Sequence, residues 1–83
     1  MKLTVEMSLY PLQDEYLPVI QGFIERLHQH QNLRIITNAM STQVCGDFDQ
    51  VFNLVSEQLK ANVEQYGRQI LVCKFIPAEL DID

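Results

Sequence analysis

Basic residues are scarce in this chain. Its 83 residues hold six lysines and arginines against eleven acids, a net charge of -5. The six cations, Lys2, Arg26, Arg34, Lys60, Arg68 and Lys74, are scattered rather than grouped. Clustered cations are what displace counterions from a phosphate backbone, so nucleic acid is not an expected partner. Long apolar runs are also missing: nothing approaches the ~20 residues of a membrane span. The amino terminus has neither the basic region nor the apolar core of a secretory signal, and a cytoplasmic location is expected. With three glycines, Gly22, Gly46 and Gly67, set far apart, no phosphate-cradling loop can form. Cys45 and Cys73 are the only cysteines, and in a reducing compartment they are expected to be free thiols acting as small hydrophobes. His28 and His30 stand two apart on an expected helix, where they point to different sides and cannot share an ion. No zinc-type spacing is present, so neither a metal nor a cofactor is expected. A chain this short closes one core, residues 1–83 as a single domain, and buries only about 60% of its unfolded surface. Oligomerisation would add to that marginal stability.

Residues 2–10 alternate, with Leu3, Val5, Met7 and Leu9 on one side and Lys2, Thr4, Glu6, Ser8 and Tyr10 on the other, as in a half-buried strand ended by Pro11. Between residues 14 and 30 the spacing of Leu17, Ile20, Phe23, Ile24 and Leu27 predicts a helix, with Asp14 as a candidate cap and Pro18 tolerable near the first turn. Residues 33–38 read as a β-branched strand, and residues 40–46 as its hairpin partner. Asp47 and Gln50 then have capping-box spacing ahead of a second helix carrying Phe48, Val51, Phe52, Val55, Leu59 and Val63, closed by Gly67. Residues 70–76 form the last strand, ended by Pro77, and the acidic tail within residues 77–83 is expected to fray.

The order βαββαβ predicts an α+β, ferredoxin-like sandwich. Two right-handed split βαβ units place both helices on one face of a four-stranded antiparallel sheet, ordered 4-1-3-2. Cys45 and Cys73 would then sit two strands apart, about 10 Å, too far for a disulfide. Since Ile70, Val72 and Ile76 alternate with Leu71, Cys73 and Phe75, the last strand is apolar on both faces. A sheet solvated on one side alternates more cleanly, so the face without helices is expected to be covered by another subunit, a ligand, or both.

Two groups of side chains could hold a small molecule. Glu6 and Ser8, with Thr4 and Tyr10, lie on the polar side of the first strand; they are either solvated or face a pocket. In a pocket, the Glu6 carboxylate would accept from an amine, Ser8 would donate or accept, and Tyr10 would stack on a ring. Thr37, Asn38, Ser41 and Thr42 form the second group, either satisfying their own hairpin or reading the polar edge of a heteroaromatic ligand; Met40 is core or packs on a ring through its sulfur. The histidines, expected at one helix end away from the hairpin hydroxyls, supply no base to a nucleophile, and the chain is expected not to be an enzyme.

Glu6-Met7-Ser8-Leu9-Tyr10-Pro11-Leu12, together with residues 37–47, Thr-Asn-Ala-Met-Ser-Thr-Gln-Val-Cys-Gly-Asp, resembles the YkoF-like family of thiamine- and hydroxymethylpyrimidine-binding proteins. The resemblance runs from Leu3 to Ile76. It implies a subunit that assembles through its sheets into homo-oligomers, dimers or tetramers, and holds thiamine or its hydroxymethylpyrimidine half without reacting with it. An acidic chain tolerates a cationic thiazolium. The ligand-binding positions expected from motif and strand geometry together are Glu6, Ser8, Tyr10, Thr37, Asn38, Met40, Ser41 and Thr42. The alternative is an interaction module whose open sheet face is covered by a partner chain and whose hairpin polar groups are structural.

Overall fold

Alternation along the first strand sets the architecture. In the computed structural model, which describes residues 1–83, β1 runs from Lys2 to Pro11 with Leu3, Val5 and Met7 buried beneath two helices. The elements follow as α1 (Leu17–Leu27), β2 (Arg34–Thr37), β3 (Thr42–Asp47), α2 (Phe48–Tyr66) and β4 (Gln69–Ile76). All neighbouring strands are antiparallel, in the order β2-β3-β1-β4. This is the expected ferredoxin-like α+β sheet with its split βαβ connections.

Register assigns the faces. Val5 stands opposite Val44 and Phe75, and Met7 opposite Thr42 and Cys73, so these residues share the helix side. Thr4, Glu6, Ser8 and Tyr10 share the open side with Cys45, Gln43, Ile76, Lys74, Val72 and Ile70. The two thiols therefore face opposite sides of the sheet, and both are free. Partial burial under the helices pushes the Cys73 thiol upward from its ordinary value.

Pro11 ends β1 as expected, but as its last residue, pairing with Gln69. Proline is accepted at this last position because beyond Met7 the strand has a neighbour on one side only. Helix α1 is shorter than the periodicity indicated. It starts at Leu17 with Tyr16 as N-cap and no side-chain cap bond, since Pro18 belongs in the first turn, where its missing donor costs nothing. Its core side is Val19, Phe23 and Leu27; Leu17 is exposed. The capping box at Asp47 does not form: Asp47 is an extended N-cap without a side-chain bond, and the first helical amide, of Phe48, donates to the Met1 carbonyl at 2.9 Å. Helix α2 buries Val51, Leu54, Val55 and Asn62, while Phe52 and Val63 are partly exposed. Phe52 instead stacks on Phe75, centroids 4.6 Å apart. Gly67 ends α2 at φ 87, as the helix stop requires. At Gly46 an added Cβ would meet a terminal methyl of Leu33, which would have to shift to admit it.

The largest departure is the tail. Residues 77–83 do not fray but cross the open face. The Thr4 hydroxyl donates to the Ala78 carbonyl at 2.8 Å and accepts from the Leu80 amide at 3.2 Å. Arg34, on the far edge strand, then pairs with Asp83 at 2.8 Å and with Asp81 at 3.5 Å. The Asp83 hydrogen bond and charge raise the Arg34 pKa further. Local composition reads as solvated here; the attachment depends on Thr4 and Arg34, which only the folded sheet places in one row.

Candidate ligand site

The site begins where two strands stop matching. β1 pairs with β3 only as far as Met7 opposite Thr42, but with β4 as far as Pro11. Ser8, Leu9 and Tyr10 thus have no strand partner on the β3 side, and their backbone groups on that edge are available to a ligand. The β2–β3 turn and α1 close over this edge to leave a hollow of about 240 Å³. Ile20, Phe23 and Ile24 of α1 form its apolar wall, and Thr37 to Thr42 form its polar wall. No lining residue is charged.

Seven of the eight expected positions, Ser8, Tyr10, Thr37, Asn38, Met40, Ser41 and Thr42, line this hollow. Tyr10 and Met40 are largely exposed, 55% and 85%, and stand at its mouth. Glu6 lies outside. One carboxylate oxygen accepts from Ser41 Oγ at 2.9 Å and the other is 3.6 Å from Lys74 Nζ, so its effect on the hollow passes through Ser41. Asn38 is occupied by its own turn: Oδ1 accepts from the amides of Met40 at 2.8 Å and Ser41 at 3.0 Å, an Asx turn.

Thr37 and Thr42 face the helix side, where their hydroxyls meet at 3.0 Å. His28, at the C-cap of α1, reaches Thr37 Oγ1 through Nε2 at 2.9 Å. The separation of the histidines from the hairpin hydroxyls expected from sequence is therefore incorrect for His28: the short α1–β2 connection brings the helix end back over the hairpin. The resulting chain, His28 to Thr37 to Thr42, ends at a buried hydroxyl on the hollow wall. No carboxylate hydrogen-bonds to His28 to orient it, unlike the base of a catalytic triad. No three histidine, cysteine or carboxylate side chains are close enough to share a metal ion.

Sequence reasoning missed His28, Ile20 and Ile24. The isoleucines, at i and i+4, form a second apolar row beside Val19 and Phe23, and a row wider than one core stripe is the signal that could have found them.

A larger depression of about 520 Å³ lies between the α1–β2 connection and α2. Its walls are mostly amide side chains, with Leu33 and Leu54 as the only apolar ones, so it offers no apolar seat for a ring. A third space, about 230 Å³, lies under the tail between Glu6, Lys74, Leu80 and Ile82.

Several solved structures share this fold. A protein from Thermotoga maritima, provisionally assigned to thiamine biosynthesis or salvage, superposes with a TM-score of 0.85 at 21% identity, covering 99% of this chain and 91% of its own. A protein from Streptococcus pneumoniae gives 0.80 at 18% identity, covering 96% and 90%. A domain of unknown function from Bacillus cereus gives 0.74 at 23% identity, covering 100% and 85%. At these identities the likeness establishes the fold: two helices on one face of an open antiparallel sheet. The chain belongs to the YKOF-related family, which it matches over residues 2–79. No curated protein matches it.

Proposed function

We propose that this protein is a cytoplasmic, non-catalytic binding protein for unphosphorylated thiamine or its hydroxymethylpyrimidine half, held in the hollow between β1, the hairpin and α1. The observation that carries this reading is the free edge of β1 at residues 8–10, facing an uncharged hollow with one apolar wall and one hydroxyl wall. A flat heteroaromatic ring needs that combination: apolar surface for its faces and a few directed donors and acceptors for its nitrogens and amine. The volume suits the pyrimidine, with the thiazolium extending toward Tyr10 and Met40 at the mouth. A phosphate would find no lysine or arginine on the walls. Family membership and the provisional thiamine assignment of the Thermotoga protein favour the same ligand class.

Titration calorimetry tests this. Hydroxymethylpyrimidine and thiamine should give saturable heat and thiamine phosphate should bind more weakly. Thr42→Val, which removes the buried hydroxyl at the end of the His28 chain, should weaken binding by about 1 kcal/mol or more, roughly fivefold or greater. A folded protein that gives no heat with any of the three ligands would contradict the proposal.

A second reading has its own observation. Ile70, Val72 and Ile76 are each about half exposed on the open sheet face, at 49%, 47% and 48%, and lie in one row along β4. Such a strip fits assembly with a second copy of the chain. Ser8 and Tyr10 border both surfaces, on the open face beside Val72 and Ile70 and on the rim of the hollow, while the apolar α1 wall and the threonine hydroxyls of the hollow lie on the helix side.

A further inference from the structure

Register shows what the tail does to the open face. Arg34, Cys45, Thr4 and Ile76 lie opposite one another and make a single row across all four strands. The tail leaves β4 at Ile76, bonds Thr4 on β1 and ends on Arg34 of β2, so it runs along that row from one edge of the sheet to the other. Leu80 and Ile82 lean toward the next row, where they roof the space over Glu6, Gln43 and Lys74. The rows at Ser8 with Val72 and at Tyr10 with Ile70 are left uncovered.

We infer that residues 77–83 are a displaceable strap that keeps a second copy of this chain off the open sheet face. The inference rests on the reading of that face as an assembly surface and is independent of the ligand reading.

The occupant is argued from the face itself. Glu6 and Lys74 lie side by side at 3.6 Å near its middle, and an adjacent pair of opposite charges becomes self-complementary across a two-fold axis. The flanking surface is aliphatic, and the tail already covers part of it with Leu80 and Ile82, residues of the kind a second copy would bring. Area makes the competition decisive. At ~4.8 Å between strands and ~3.4 Å per residue, four strands of about seven residues present on the order of 450 Å² per copy, or about 900 Å² for two. That is already near the ~1,000 Å² expected of a stable interface, so losing the rows at Thr4 and Glu6, about half of the face, leaves too little. The strap is held by contacts that release readily: Arg34 is 41% exposed, Asp83 60% and Asp81 90%, so salt screens both pairs.

Sedimentation equilibrium on the full chain, on a chain ending at Pro77, and on an Asp81→Asn/Asp83→Asn variant tests the strap. Removing residues 78–83 should tighten self-association at least about tenfold, and the double Asn variant should lie between the other two. Raising salt from about 0.05 M to about 0.5 M should promote association of the full chain and have little effect on the shortened one. Val72→Lys should abolish association in every background. If shortened and full chains associate equally, and Val72→Lys breaks both, the face assembles but the strap is wrong. If the shortened chain associates less well, the tail is part of the interface and the strap is again wrong. If the shortened chain stays monomeric, or associates despite Val72→Lys, the assembly reading itself fails. Should the shortened chain lose its fold by circular dichroism, the double Asn variant decides, because it changes only exposed side chains.

Discussion

Asn38 shows how one side chain can serve a site without touching what the site holds. Its Oδ1 takes both turn amides, which keeps Ser41 and Thr42 in place on the hollow wall. Asn38→Ala should therefore lower stability by about 1 kcal/mol, a fall of about 4–8 °C in Tm for a domain of this size. Asn38→Asp, which keeps an acceptor for the same amides, should restore most of it. A Tm unchanged in Asn38→Ala would show that the Asx turn is not what holds the hairpin. From sequence, Asn38 as ligand contact and Asn38 as turn former were equally open, because the choice depends on the dihedrals of the four-residue turn. The same is true of Glu6. Alternation placed its side chain on the open face, but only the final register put Ser41 and Lys74 within reach of its two oxygens.

Among the elements, the strands were legible almost throughout and the helices only in part. A strand buried on one face shows this directly in a period of two, and β1 did so. Helix rotation is less constrained. In α2 the expected stripe of Phe48, Val51, Phe52, Val55, Leu59 and Val63 holds at Val51 and Val55, but the other buried positions are Leu54 and the fully buried Asn62, while Phe52 and Val63 are partly exposed. A polar residue breaks the apolar pattern here for a physical reason. Asn62 accepts from Arg26 Nη2 and donates to Gln69 Oε1 and to the Val19 carbonyl, tying both helices to the start of β4. Gln58 takes the Arg26 Nε at 3.1 Å. Deleting the amide strands these partners, so Asn62→Leu should cost about 1–3 kcal/mol despite adding apolar volume. Chemical denaturation would show it as a lower midpoint with an unchanged slope. An equal or higher midpoint would mean that the network adds specificity and not stability.

At the scale of the molecule, the order β2-β3-β1-β4 and the two-helix layer followed from connection rules, which need only element types and lengths. The tail and His28 did not. Both depend on residues far apart in sequence meeting after folding: Thr4 with Leu80, Arg34 with Asp83, His28 with Thr37. Together these features divide the protein into two working surfaces. The hollow lies at the edge where β3 stops short of β1, and the strapped face lies on the side of the sheet away from the helices. A ligand in the hollow should therefore leave the strap in place.

The most direct test of the central claim is an amide chemical-shift map on titration with hydroxymethylpyrimidine. A ring held in the hollow should give saturable shifts concentrated at Ser8 to Tyr10, at Thr37 to Thr42 and on the Ile20 and Ile24 side of α1, with the amides of Leu80 and Lys74 unmoved. Shifts centred on Thr4, Lys74 and Leu80, or none at all in a folded protein, would contradict it.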